Sequence, residues 1–455
     1  MFKTIKNYYL YILFLPLVAN AIFNIYKTGF INNLKKINLF DFFSTLLLFL
    51  FLLQVGIYIK ESLNLSTVSF SITIYIFSFF IFDIILLFFT KSLSFNEIFF
   101  VVNFLWIIGI LYKKGFYSIF KLVIIYSILN LFNTQNYLKF TTNKNIIGDV
   151  EFYFYPQAKN IYENSYNFSI NNFITEGYPQ FTSYIQALFT KISFNFDIFE
   201  YFAPTTQIIF LLSSLFFYEL KISNKNKIFV ILIFSTLVIN SLWVQFLFTS
   251  SLMSEGIVSL FSAIIIYENF TSKKNKHLNF LALGILYFTK QFLSLISILL
   301  VFYFLITHKN KKIVLIGFSG LALKELLFIF PFGGIKSSLH LSQIDIPQTF
   351  MNLVTLNNLK FENIFLILKN IFLDKPLTLF LVSLFLLIAH NMFFVKNLGI
   401  NLILIFIVCS NIIFIFLLYI SAWQNMELES PIRYIWSFLH LKLTIVSLLI
   451  DKSQK

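Results

Sequence analysis

The chain has 455 residues, of which 58% are hydrophobic, 20% aromatic and 12% charged, with a formal net charge of +14. Soluble domains carry about a quarter charged residues, so an ordinary globular enzyme is excluded and a polytopic membrane protein is expected. The 64 phenylalanines, with abundant Ile, Leu, Asn and Lys and scarce Ala and Gly, are put down to an AT-rich coding bias before any function.

Apolar runs of roughly 20 residues recur, and in hydrocarbon a helix satisfies its own backbone, whereas the alternation that barrel strands require is absent. The expected fold is all-α, a helical bundle of about 11–14 transmembrane helices with an outer loop carrying short helices. The basic excess would suggest nucleic acid in a soluble protein. Here the lysines form short clusters between apolar runs, which is the positive-inside pattern. The single cysteine, Cys409, lies inside an apolar run and forms no intrachain disulfide. Lys3 and Lys6 precede the first apolar run. With no small-residue cleavage site and further spans following, an uncleaved first helix is expected.

In chain order, spans are expected at about residues 8–25, 39–59, 67–90, 97–112 and 115–132. With a cytoplasmic N-terminus, five crossings put residues 133–200 outside and Lys60, Lys113 and Lys114 inside; Lys27, Lys35 and Lys36 fall on the wrong side. Spans at 203–220 and 228–248 are joined by Lys221, Lys225 and Lys227, and a span at 252–270 ends at Lys273, Lys274 and Lys276. The run 278–307 has basic clusters at both ends, so a single crossing would strand one of them. It is therefore split at Thr289, Lys290 and Gln291 into two short helices that go up and return, with Lys290 near the outer face. A helix at 313–331 leads to a second outer loop, 331–361, with Pro347 and an amphipathic continuation to Asp374. Spans at 376–395 and 400–421, a polar outer loop at 423–433 and a last helix at 434–450 complete the chain, with no sustained internal repeat and no soluble domain.

The longest polar segment is 148–179, and it contains Asp149 and Glu151. In an extended segment residues two apart face the same way, so both carboxylates can serve one site or share a divalent cation such as Mg or Mn. The plainer account is a pair of solvated loop acids. Tyr155, Ala158, Lys159 and Tyr162 have helical spacing and would anchor the pair. Glu255 is an ionisable group just inside the outer end of its span. Lys290, between two short helices, falls at headgroup depth, where snorkelling is the alternative. Arg433 is the only arginine among 34 basic residues and precedes Tyr434 at the outer end of the last span. Its planar fork matches phosphate as Lys cannot; the alternative is an interfacial anchor partnered with Glu427 or Glu429. His308, His340 and Asp345 have no metal-ligand spacing, and Lys324 and Glu325 can simply pair.

Gly148, Asp149, Glu151, Tyr153, Tyr155 and Ala158, followed after a gap by Glu176, Gly177, Tyr178 and Pro179 and an amphipathic helix, resemble the first outer loop of the GT-C integral-membrane glycosyltransferases. That group includes protein mannosyltransferases and the aminoarabinose transferase of lipid A. The resemblance covers residues 130–310 most closely. It implies a polyprenyl-phosphate sugar donor, Asp149 as catalytic base, Glu151 as its neighbour or a metal ligand, and Tyr178 in the Tyr-Pro pair before the next helix. Similar C-terminal Arg-Tyr pairs in that group imply that Arg433 and Tyr434 bind phosphate. The family places this loop after its first helix, whereas here about five spans precede it. Residues 1–114 are therefore expected to be an added N-terminal module and 115–455 the GT-C-like core with its outer loop 133–200.

The expected activity is inverting transfer of a sugar to a glycan, lipid or protein acceptor, with no obligatory cofactor and no nucleic-acid partner. The site is expected on the outer face of a bacterial inner (plasma) membrane. An O-antigen-type polysaccharide polymerase is one rival, but such enzymes rely on arginines in their outer loops and 133–200 has none. A lipid-linked sugar flippase is another, and it predicts inverted repeats and mid-membrane charges, of which the sequence shows few.

Overall fold

The computed structural model describes residues 9–28, 39–89, 94–135, 158–159, 161–162, 181–192, 202–240, 254–289, 291–329, 346–395, 399–421 and 434–454. Among these residues the secondary structure is helical and there is no strand. Four segments, Thr45–Ser62, Phe95–Lys114, Lys375–Phe394 and Ile400–Ser421, are long and apolar enough to cross a membrane, and shorter apolar helices accompany them. The protein is an all-α membrane protein.

Contacts divide the chain into two units. One comprises Met1–Ile37, Ser213–Thr249 and Gln343–Lys455, the other Asn38–Leu212 and Ser250–Ser342. The helices are α1 (Tyr9–Ile12), α2 (Leu15–Thr28), α3 (Leu39–Ser62), α4 (Val68–Phe89), α5 (Phe95–Lys114), α6 (Phe116–Gln135), α7 (Phe181–Ile192), α8 (Phe202–Glu219), α9 (Asn224–Asn240) and α10 (Ser254–Thr271). They continue as α11 (Lys276–Thr289), α12 (Gln291–Thr307), α13 (Lys311–Ile329), α14 (Ile346–Thr355), α15 (Glu362–Leu373), α16 (Lys375–Phe394), α17 (Ile400–Ser421) and α18 (Leu439–Ser453).

In the unit containing α3, that helix packs against α4, α5 and α6, while α11 packs against α10, α12 and α13. Local chemistry sets the turns. Ser94 caps α5, its hydroxyl accepting from the Glu97 N–H while the Glu97 carboxylate accepts from the Ser94 N–H, a reciprocal capping box. Gly115, at φ 79°, ends α5 and lets α6 begin at the next residue, because only a residue without Cβ takes that conformation cheaply. The split at 289–291 is present. Phe280 near the start of α11 lies 5.2 Å from Phe304 and 5.3 Å from His308 near the end of α12, so the two helices form an antiparallel hairpin. Helix α13 then runs parallel to α11, with Gly320 against Gly284 and Gly317 against Phe280.

The lysine-bearing turns of this unit gather at one end. Lys114 pairs with Glu61, the Asn275 amide donates to the Leu63 carbonyl at 3.0 Å, and the Ser66 and Thr67 hydroxyls donate to the two Glu268 carboxylate oxygens, Thr67 at 3.3 Å. Helix ends bearing Lys60, Lys113, Lys273, Lys274 and Lys276 therefore share a face, as the charge pattern requires.

In the other unit α18 is the core. It packs against α9, α16 and α17, and residues 435–447 are buried throughout. Its lysine-bearing ends also meet: Asn226 at the start of α9 donates to Asp451 (3.1 Å) and accepts from the Tyr11 hydroxyl (2.5 Å), and Ser453 donates to Asn391 (3.0 Å).

Candidate functional site

Five of the sequence-predicted site residues, Asp149, Glu151, Tyr178, Lys290 and Arg433, lie outside the described residues. Glu255 is 1% exposed in the first turn of α10, and Tyr434 is half-buried at the start of the short helical turn that precedes α18. These two belong to different units.

Helix α10, which carries Glu255, packs against α7, the amphipathic helix that follows the Glu176–Pro179 segment in sequence. Every α7 residue except Lys191 is buried, including Thr182, Ser183, Gln186 and Thr190, so its polar residues are enclosed by protein. It packs against α4, α10 and α11, and so adds to the direct contact of α4 with α10 in joining the α3–α6 group to the α10–α13 group. The joint is aromatic. Phe181 lies 5.0 Å from Phe80 and 6.1 Å from Phe261, and Tyr184 lies 5.3 Å from Phe80 and 5.4 Å from Phe95, in edge-on geometry. Of the expected anchor residues, Ala158, Lys159 and Tyr162 are helical, and Tyr155 lies outside the described residues. The Lys191 ammonium sits 5.6 Å above the Tyr162 ring, a cation–π contact, although partial burial pushes its pKa below the ordinary lysine value.

Helices α4 and α10 are tied by Thr67 and Glu268 at the lysine-bearing end and run antiparallel from there, with Phe181 bridging Phe80 and Phe261 further along. At 1.5 Å per residue, Asp83 lies about 24 Å and Glu255 about 20 Å from that tie, at the opposite end of the unit. Asp83 was not singled out by the sequence reading. It is 1% exposed, one turn beyond Phe79 and Phe80 on the same face, and neither carboxyl oxygen has a hydrogen-bond partner. The signal was available, since it is the only charged residue in the apolar run 68–89, and an intramembrane acid is a functional candidate by default.

In the other unit Lys442 is fully buried and donates to the Ile435 carbonyl. His440 is buried beside it in sequence, its Nε2 2.7 Å from the Ser213 hydroxyl and its ring stacked on Phe217 at 5.5 Å. The few charges expected within helices include Asp83 and Lys442. Both are enclosed, and a single charge in a long apolar run carries little weight in composition.

A buried carboxyl with no partner costs stability, whereas a shape-matched apolar side chain does not. Asp83→Leu is expected to stabilise the protein by about 1–3 kcal/mol, read as a higher midpoint in detergent thermal unfolding. A lower midpoint would show that Asp83 holds the fold together. Among the described residues no group of three His, Cys, Asp or Glu side chains is placed to hold a metal ion. No protein-family model matches the chain, and no curated protein or solved structure matches it either.

Proposed function

We propose that the protein is a GT-C-type membrane glycosyltransferase that moves a sugar from a polyprenyl-phosphate carrier to a glycan, lipid or protein acceptor. The observation that carries this reading is the order of the polar segment. Asp149 and Glu151, the anchoring turn at Ala158–Tyr162 and the Glu176–Pro179 motif lead into α7, an amphipathic helix buried against α4, α10 and α11.

With the lysine-bearing turns on the cytoplasmic side, the α7 end of its unit faces outward, in a bundle of about 11–14 spans in a bacterial plasma membrane. Asp149 takes the proton of the acceptor hydroxyl or amine as that atom bonds to the anomeric carbon. The bond from the anomeric carbon to the carrier phosphate breaks in the same step, with inversion, and polyprenyl phosphate departs. Arg433 and Lys290 offset the charge on the leaving phosphate; Tyr178, Tyr434 and Glu255 contribute hydrogen bonds to the bound substrates. Glu151 orients Asp149, or with it holds Mg or Mn.

The test is sugar transfer by purified protein in proteoliposomes supplied with lipid-linked sugar and acceptor, with and without chelator. Asp149→Asn is expected to lower kcat by about 10²–10⁴-fold. Unchanged turnover in this variant removes the proposed base, and a loss of transfer with chelator assigns the metal.

A lipid-linked sugar flippase is the second reading, favoured by the enclosed Asp83 and Lys442, since charges within helix interiors mark transport pathways. Movement of carrier lipid across the vesicle without any transfer would establish it.

A further inference from the structure

Helices α14 and α15 have 10 and 12 residues, or about 15 and 18 Å, well short of the ~20 residues that a span needs. Their depth is nonetheless set at both ends. Helix α17, with 22 residues, is about 33 Å long and matches the hydrocarbon thickness, so its C-terminal turn lies at a membrane boundary. Its last carbonyls have no partners within the helix. The donors come from α14, α15 and the turn between them: the Asn363 amide bonds the Tyr419 carbonyl at 2.6 Å, the Lys360 N–H bonds Ile420 at 3.0 Å, and the Asn352 amide bonds Ser421 at 3.2 Å. At its other end α15 runs through Asp374, which caps α16 by accepting from the Leu377 N–H, into a second candidate span that starts at the same boundary.

Pinned at both ends to one depth, α15 lies along the boundary rather than across it. One face, Asn363, Ile367 and Ile371, is buried on α16 and α17. The opposite face is uncovered and carries large aromatic side chains, Phe365 at 75% exposed and Phe372 at 66%, beside the exposed charged residues Glu362 and Lys369, and it is continued by Phe361 and by Phe350 and Val354 of α14. Exposed aromatic rings interleaved with charged residues suit a membrane boundary, where the rings enter the acyl chains and the long stems of Lys369 and Glu362 reach back to the headgroups. Helices α16 and α17, on which α15 packs, carry exposed apolar side chains of their own, Phe385, Phe393, Phe406 and Ile413, as helices that face lipid do.

We propose that α14 and α15 form an interfacial platform, lying in the membrane plane with Phe350, Val354, Phe361, Phe365 and Phe372 inserted among the acyl chains of one leaflet. Its occupant is the bilayer itself, whatever reaction the protein catalyses.

The test uses full-length protein carrying Cys409→Ser, reconstituted in phosphatidylcholine vesicles, with one spin label at a time from Phe350→Cys and Phe365→Cys. Lys309→Cys, in an exposed turn, is the water reference, and Ile413→Cys, within α17, is the deep reference. The platform labels are expected to favour collisions with oxygen over a water-soluble nickel chelate, at a depth of about 5–10 Å below the headgroups. Labels as open to the chelate as Lys309→Cys overturn the proposal. So do labels as deep as Ile413→Cys, or labels shielded from both reagents, which would mean a protein cover such as a second copy of this chain.

Discussion

Gly284→Leu is expected to destabilise the protein by about 3 kcal/mol and to lower its thermal midpoint. A Cβ at Gly284 would meet the Gly320 Cα at 2.9 Å, and a Cβ at Gly320 would meet the Gly284 Cα at the same distance. The obstacle on each side is backbone, so no rotamer change can relieve it, and α11 and α13 must separate along their whole contact. Between membrane helices, close backbone approach at small residues is the main source of association, because lipid is as apolar as the side chains it would replace. Even Gly284→Ala is expected to lose stability, although alanine recovers about 1 kcal/mol of helix propensity. Gly109→Ala is the control: its Cβ meets nothing within 4 Å, so its midpoint is expected to hold or rise. If Gly284→Leu and Gly109→Ala unfold at the same temperature, the close crossing is not what holds this helix pair together.

The second large effect is expected at Asn226. Its buried amide joins three distant pieces of chain, accepting from Tyr11 at 2.5 Å and donating to Asp451 at 3.1 Å and Gln454 at 3.4 Å. Asp451 also accepts from the Ser223 N–H, and Gln454 donates to the Tyr11 hydroxyl, so the amide sits at the centre of a closed network. Asn226→Leu keeps much of the volume but removes the acceptor of the half-buried Tyr11 hydroxyl and weakens the hold on Asp451. With each stranded buried group costing about 1–3 kcal/mol, a loss of about 3 kcal/mol is expected. The readout is denaturant unfolding in mixed micelles, with Tyr11→Phe as a milder second variant. Equal midpoints for Asn226→Leu and the parent would mean that the network contributes nothing net.

The gap at 289–291 shows how far charge alone can be read. Two basic clusters flanking one long apolar run cannot both lie on the same side of a membrane unless the chain turns back, and it does. Asp374 was similarly legible as the end of an amphipathic stretch, because an acid before Pro376 is a helix start. Glu268 was not, since its partners Ser66 and Thr67 are about 200 positions away in sequence and no local pattern links them. Asp83 is different. It was visible as a lone acid in an apolar run, but only enclosure, with both oxygens unpartnered, separates it from an acid that snorkels or pairs. The proposed catalytic residues Asp149, Glu151, Lys290 and Arg433 rest on sequence alone, because they fall outside the described residues.

The amino-acid sequence by itself determined the all-α membrane class and the grouping of lysine-bearing turns, because hydrocarbon admits backbone only as helix and lysine positions register the two sides. Only the tertiary structure decided the Gly284–Gly320 crossing, the burial of α7, the enclosure of Asp83 and the pinning of α14 and α15 to the end of α17. Each of these depends on which helices are neighbours, and nearly uniform apolar surfaces carry almost no record of that choice.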